Sequence, residues 1–280
     1  MNVFEAHRRP FSEQMESARN QLASASFTHI PGIFSKAKVH LLKVEIDRLL
    51  DHANASDAGP LIMYEEGPAD KICRMEHIVG SSSIFQEVVE EELKPLVNTI
   101  LGTPMALLKD KCNFKKPGGG GFGPHQDYLA YKTFYDGPHY TVALYLDDTT
   151  PENGALEFAT NIGNSESVGG DPKVKTFFGE VSVFPIETVG HRAGELIPAV
   201  AEMFDWVMLC ANAADIVLFD SLVPHKSAKN VSQQDRAVLF FTFVEAAKGE
   251  GLYDQYYAAK RKNPDDPQFH IATPMQKHAQ

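Results

Sequence analysis

His125 and Asp127 stand two apart in the run Pro124-His125-Gln126-Asp127, and the imidazole that would complete a metal site with them, His225, is far downstream. Side chains two apart on an extended strand leave by the same face. A strand here therefore aims His125 and Asp127 at one point and turns Gln126 away. A second imidazole can join them only in a fold that sets distant strand ends side by side. The segment Asp220-Ser221-Leu222-Val223-Pro224 links His225 to the strand-like residues 216–219, just as Phe122-Gly123-Pro124 leads into His125. Both histidines thus belong at strand edges, where a barrel has its mouth.

The remaining pattern supplies such strands. Residues 105–114, 140–146, 155–159, 216–219 and 237–244 are short, rich in β-branched or aromatic side chains, and bounded by Gly, Pro, Asp or Asn. Helical patterns precede them. One covers residues 12–24. A second covers 36–52, with Ser35 as its N-cap and Leu41, Leu42, Val44, Ile46, Leu49 and Leu50 as its apolar face. A third covers 84–101, with Pro95 as a weak point inside it. Residues 27–30 form an extended piece ended by Pro31-Gly32. Residues 58–83 read as irregular, broken by Gly59-Pro60 and Gly67-Pro68. The glycine-rich residues 161–200 read as a long insertion between strands, placed as a lid near the pocket. Tyr253, Tyr256, Tyr257 and Lys260 recur at helical spacing before Asn263-Pro264. Short strands behind helices predict a mainly β fold with flanking α, an antiparallel barrel or jelly roll with an N-terminal helical layer. No repeat or linker marks a boundary, so one domain is expected over residues 1–280.

Apolar residues make up 43% of the chain and charged ones 22%, enough to build a large core and too apolar for disorder. A net charge of −11 argues against nucleic-acid partners, which need clustered cations. Locally the balance reverses: residues 109–116 hold four lysines against one aspartate, a basic pocket for an anionic co-substrate. Cys73, Cys112 and Cys210 are odd in number and widely spaced, which excludes a disulfide framework and a structural zinc site. Residues 1–17 contain no continuous apolar run, so neither a signal peptide nor a membrane anchor is expected. A cytoplasmic location follows, and the glycosylation patterns at Asn54 and Asn230 carry no weight there.

Two neutral imidazoles and one carboxylate hold an ion while leaving adjacent positions open, the arrangement of non-haem Fe(II) sites. Two open positions suit a chelating keto acid and a third suits O2. Arg236 opens the apolar run 237–241, where a buried charge needs a partner. A planar guanidinium grips a carboxylate through two parallel hydrogen bonds, and Ser227 can add a second donor. Alternation puts Lys111, Asn113 and Lys115 on one strand face. Pointing inward, Asn113 and Lys115 bind the co-substrate or an anionic part of the substrate; pointing outward, they are a solvated face. Thr141 offers its hydroxyl to a keto-acid oxygen or serves only as a β-former. Arg74 and Glu76 line a substrate entrance or make a surface ion pair, and Tyr128 and Tyr131 shape the pocket or simply pack. The glycines of Gly118-x-Gly120-x-x-Gly123 lack the βαβ context of a dinucleotide fingerprint. His139 and His191 have no carboxylate two residues away and are ordinary histidines.

Three ordered motifs now stand together: the Pro-Gly-rich run into His125-Gln126-Asp127, the segment Asp147-Asp148-Thr149-Thr150-Pro151-Glu152-Asn153-Gly154-Ala155-Leu156, and Pro224-His225-Lys226-Ser227 leading to Arg236. Over roughly residues 20–262 the chain resembles the phytanoyl-CoA dioxygenase family of Fe(II)/2-oxoglutarate oxygenases. The resemblance implies a double-stranded β-helix (a cupin-like jelly roll), iron on His125, Asp127 and His225, and 2-oxoglutarate on Arg236 with Ser227. It also implies O2 as second co-substrate and hydroxylation as outcome, because Asp127 fills the position that halogenating relatives leave to a small residue. Residues 111–115 and 256–261 are similar to bacterial members acting on small zwitterions, which implies an aminophosphonate, an amino acid or a related amine as substrate. Where many members have Pro-Gly-Ser-His, this chain has Ala159-Thr160-Asn161-Ile162, so the contacts of that loop stay open. Other readings are a natural-product-tailoring oxygenase of the same family and a non-catalytic protein that binds metal and 2-oxoglutarate. A zinc or manganese cupin is a further one, which would have no use for Arg236. Oligomeric state is not legible.

Overall fold

The computed structural model describes residues 11–52, 59–65, 71–162, 173–187, 194–271 and 276–278. Helix α1 (Phe11–Ala25), strand β1 (Phe27–Ile30) and helix α2 (Lys36–Asp51) open it close to their predicted bounds. Ser35 caps α2 by accepting from the Lys38 N–H at 3.1 Å. The buried face of α2 is Val39, Leu42, Ile46 and Leu49, the 3.6-residue stripe, while Leu41 and Val44 of the predicted face are exposed.

Residues 58–83 are not irregular throughout. They contain β2 (Leu61–Glu65) and β3 (Lys71–Glu76), an antiparallel pair. The predicted helix over 84–101 is three pieces: α3 (Ser83–Glu87), a π-helical turn over Val88–Leu93, and α4 (Lys94–Leu101). Pro95 is the cause. In α geometry its ring would clash with the carbonyl of Glu91 and no N–H would return to it. The wider turn lets the Lys94 N–H bond to Val89 O instead.

The sheets follow: β4 (Met105–Lys115), β5 (Phe122–His125), the short helix α5 (Tyr128–Tyr131), β6 (Tyr140–Tyr145), β7 (Leu156–Thr160), β8 (Lys173–Thr176) and β9 (Gly179–Ser182). After them come α6 (Pro198–Ala201), β10 (Asp205–Leu209), β11 (Ile216–Asp220), β12 (His225–Ser227), β13 (Arg236–Glu245), α7 (Ala246–Gly249), α8 (Leu252–Lys262) and β14 (Gln276–His278). Eight strands make the large sheet in the order β1-β11-β6-β13-β4-β3-β2-β14, and four make the small one, β10-β7-β12-β5. This is the jelly roll with helical layer that the strand pattern predicts.

Alternation sorts the core into two layers. Cys112, Phe114, Val142, Leu144, Ile216, Leu218, Leu239, Phe241 and Phe243 point to the helices, where they pack with Leu22, Leu42, Phe85 and Val97. Ala143, Tyr145, Val217, Phe219, Val238 and Phe240 point the other way and meet Leu156 and Phe158 of the small sheet. Both faces of these central strands are covered, which is why they read as continuous apolar runs. On β4 the residues between the helix-facing ones are Lys111, Asn113 and Lys115, so the polar face of this strand is the inward one.

The predicted insertion holds the β8–β9 hairpin and α6, while residues 163–172 and 188–193, including His191, lie outside the described residues. Gln126 ties it to the barrel: its amide nitrogen, Nε2, donates to Ser182 O at 2.9 Å and Leu222 O at 2.6 Å, and its Oε1 accepts from the Phe184 N–H at 2.8 Å. No disulfide joins the cysteines. Asn230 is buried, with its amide donating to Lys115 O and Gln234 O, so it is no glycan acceptor.

Candidate metal centre and co-substrate pocket

His125 ends β5, and its direct partner across the ladder is His225, the first residue of β12. Their rings lie 4.2 Å apart, centroid to centroid. Asp127 reaches the same point by a different route from strand alternation. The strand ends at His125, and Asp127 has helical backbone angles (φ −64°, ψ −23°) as the residue before α5. A bend, rather than the two-residue repeat, turns its carboxylate back toward the imidazoles.

The three side chains are buried and their candidate ligand atoms lie within 4.8 Å of one another, the one such group among the described residues. His125 Nε2 is 3.6 Å from Asp127 Oδ1, and His225 Nε2 is 3.8 Å from Asp127 Oδ2. These spacings exceed a good hydrogen bond and leave room for an ion between the three. Each imidazole pairs its other nitrogen with a carbonyl two residues back: His125 Nδ1 with Gly123 O at 2.8 Å and His225 Nδ1 with Val223 O at 3.1 Å. A carbonyl can only accept, so Nδ1 carries the proton and the Nε2 lone pair faces the centre. Burial, with His125 adding to it, pushes the His225 pKa down to about 3. For Asp127, burial acts upward but loses to the charge of Lys111 and to His125, so the carboxyl stays well below its usual range. His225 and Asp127 are thus in the protonation states that bind a divalent cation.

Arg236 lines the same cavity with Ser227, Asn113 and Lys111. It shares the inward face of β13 with Val238 and Phe240 and is 2% exposed. Its Nε has no hydrogen-bond partner, and no carboxylate of the described residues lies within ion-pair distance. An uncompensated buried guanidinium is costly, and a bound carboxylate would remove that cost. Ser227 Oγ accepts from Lys115 Nζ at 2.8 Å, which leaves the serine O–H to donate. The chemistry of this donor set therefore fits iron, and the unpartnered guanidinium fits the keto acid.

Other predicted residues fall elsewhere. Lys115 is buried and bonded to Ser227 and Ala228 O, so it supports the pocket from behind. Thr141 faces Thr242, Oγ to Oγ at 3.0 Å, and does not line the cavity. Arg74 and Glu76 form neither an entrance nor a surface pair. They are buried in a cluster where Glu76 meets Lys260 at 2.7 Å, Lys109 at 3.2 Å and Arg74 at 3.4 Å. Tyr128 donates to Asp136 at 2.7 Å and lines a separate surface cleft. Tyr131 is buried, its ring centroid 5.7 Å from Lys109 Nζ. His139 is buried with Nδ1 facing Ser221 Oγ at 3.3 Å, a hydrogen-bonded core histidine. Sequence reasoning did not nominate Phe122, Leu156, Lys226 and Phe240, which complete the lining. Only Phe240 carried a signal, as it lies two strand periods from Arg236.

An open two-histidine, one-carboxylate centre in a jelly roll, with a buried arginine on the neighbouring sheet, defines an Fe(II)/2-oxoglutarate-dependent dioxygenase. Iron, 2-oxoglutarate and O2 are its cofactor and co-substrates. The chain belongs to the phytanoyl-CoA dioxygenase (PhyH) family, whose sequence model matches residues 26–238. It is 27% identical over 256 residues to a 2-aminoethylphosphonate dioxygenase from an uncultured bacterium, covering 90% of this chain and 89% of that protein. It is 27% identical over 250 residues to a methylphosphonate hydroxylase from Gimesia maris, covering 89% and 87%. Among solved structures, EctD from S. alaskensis with 2-oxoglutarate and 5-hydroxyectoine superposes with a TM-score of 0.62 at 18% identity, covering 88% of this chain and 79% of that one. The epimerase SnoN from nogalamycin biosynthesis, in complex with Fe3+ and alpha ketoglutarate, gives 0.64 at 16% identity, covering 84% of each. At such identities the two structures speak for the fold.

Proposed function

We propose that the chain, as one oxygenase domain, hydroxylates a small polar molecule of the aminophosphonate, amino acid or related amine class, with His125, Asp127 and His225 holding the iron and Arg236 the 2-oxoglutarate. The observation that carries the reading is the unpaired guanidinium of Arg236 in the same cavity as the open ligand set. Bound iron supplies the chemistry that uses O2 to split 2-oxoglutarate into succinate and CO2 and to oxidise a C–H bond. The protein supplies position. The carbonyls of Gly123 and Val223 aim the imidazoles, Arg236 and Ser227 fix the far end of the keto acid, and Phe122, Leu156 and Phe240 keep bulk water out.

The cavity is narrow, about 20 Å³, so binding must shift part of its wall. The two relatives that match most of this chain are named for phosphonates, which favours a phosphonate over a large natural product. No helix among the described residues is long and apolar enough to cross a membrane, and the location proposed is cytoplasmic. The test is anaerobic loading with Fe(II) and 2-oxoglutarate, followed by O2 and a panel of small phosphonates, amino acids and amines. Succinate release stimulated by a panel member is expected. Iron that does not bind, or 2-oxoglutarate that is not consumed under any condition, would refute the reading.

A further inference from the structure

Resting on that reading of the centre, we propose that Lys111 anchors an anionic oxygen group, phosphonate or carboxylate, on the substrate to be oxidised. Three cations line the cavity. Lys226 pairs with Glu157 at 3.6 Å, and the two without an acidic protein partner, Arg236 and Lys111, sit at different places along it. On the β4–β13 ladder Arg236 is opposite Lys115, whereas Lys111 is opposite Phe240. The four residue steps between them span about 13 Å at the usual rise of an antiparallel strand. A keto acid held at Arg236 and chelating the ion satisfies the first cation. The second still needs an anion.

Nothing else in the described protein supplies one. Lys111 makes no ion pair or hydrogen bond; its ammonium rests over the Phe240 ring, 5.1 Å from the centroid, a contact that orients it more than it neutralises it. Asp127 is the only carboxylate lining the cavity, and it is a ligand of the proposed iron. Behind Lys111, one carboxylate, Glu76, already serves Arg74, Lys109 and Lys260. That interior sets three basic groups against one acid, so it offers Lys111 no spare carboxylate. Asn113 lines the cavity beside Lys111. Its Oδ1 accepts from Arg74 Nε at 3.3 Å, so its amide nitrogen is the group available to a bound oxyanion. A substrate anion here would make a charge-assisted bond to an ammonium in a site with little water. A small amine with no anionic group would instead meet like charge.

The test compares wild type with Lys111→Gln and Lys111→Arg, using 2-aminoethylphosphonate, methylphosphonate and β-alanine as anionic probes and ethanolamine as the amine control. Binding to the anaerobic Fe(II)/2-oxoglutarate protein is measured by calorimetry, and turnover by succinate release. At least one anionic probe is expected to bind wild type, with ethanolamine inactive. Lys111→Gln should weaken that probe at least tenfold, Lys111→Arg should recover part of the loss, and 2-oxoglutarate affinity without substrate should change less than twofold. The proposal is overturned if no anionic probe binds wild type, if ethanolamine supports turnover equally, or if Lys111→Gln leaves probe affinity intact. It is also overturned if Lys111→Gln chiefly weakens 2-oxoglutarate, which would place Lys111 on the co-substrate while leaving the centre itself standing. Wild type that binds no 2-oxoglutarate with Fe(II) would remove the centre and this inference together.

Discussion

Arg236 and Lys115 are direct partners across the β13–β4 ladder, two buried basic side chains side by side with the cavity reaching only the arginine. Burial, and then the charge of Arg236, pushes the Lys115 pKa down to about 6. At neutral pH the pair therefore carries one charge, and it is on the guanidinium. The lysine keeps its hydrogen bonds to Ser227 and Ala228 O and holds the rim of the pocket in place.

Arg236→Leu should raise the dissociation constant of 2-oxoglutarate, measured anaerobically with Fe(II), by a large factor. Removing one partner of a buried, hydrogen-bonded charge pair costs about 2–5 kcal/mol. At tenfold per 1.4 kcal/mol that is roughly thirtyfold or more. Arg236→Lys should recover little, because a point charge cannot reproduce two parallel bonds to a carboxylate. An unchanged dissociation constant would take Arg236 out of the co-substrate site.

Lys115 makes folding stability depend on pH in a definite direction. Its folded pKa lies near 6 and its unfolded value near 10.5, so between these the unfolded chain holds more protons and stability rises with pH. The burial penalty is complete below about pH 6 and is gone above the unfolded pKa. Lys115→Met should remove that slope, so its gain over wild type in urea unfolding should be larger at pH 7 than at pH 10. A gain that is the same at both would show that the lysine is not held neutral in the fold.

Gln126 separates two of the proposed iron ligands yet points to neither. Its fully buried amide satisfies three backbone groups, on Ser182, Phe184 and Leu222. Gln126→Leu leaves those groups unpaired at about 1–3 kcal/mol each. A fall of several degrees in melting temperature should follow, with iron retention weakened because the bend between His125 and Asp127 loosens. Iron affinity unchanged in a destabilised variant would limit Gln126 to a structural role.

These residues also show what the sequence makes legible. β13 can be read directly: Arg236, Val238 and Phe240 alternate with Leu239, Phe241 and Phe243, and the structure places the two sets on opposite faces. The three proposed ligands were legible as residue types, but the bend at Asp127 was not, since local composition does not announce the end of a strand at His125. β2 and β3 were missed because the inward face of β3 is charged. Arg74 and Glu76 look like surface residues until Lys109 on β4 and Lys260 on α8 are brought against them. Whether Lys111, Asn113 and Lys115 pointed inward was undecidable from β4 alone; the helical layer settles it by claiming Cys112 and Phe114. Tertiary pairing, absent from any local window, decides each of these cases.

Glu76 is the one acid in its buried cluster, and Glu76→Gln tests how much the fold relies on it. Burial raises its pKa, but Lys109, Lys260 and Arg74 outweigh burial and hold the carboxyl far below its ordinary range. Removing that charge strands three buried cations, a loss of about 3–5 kcal/mol by the measure of broken buried pairs. Because the folded pKa is depressed, the stabilisation is present above the ordinary carboxylate pKa and fades as pH falls below it toward the folded value. Thermal unfolding from pH 8 down to pH 3 should thus show a wide gap between wild type and Glu76→Gln at neutral pH that narrows at the acid end. A gap that is small throughout, or that widens with acid, would mean that the lysines discharge on folding and that Glu76 is not the ion holding them.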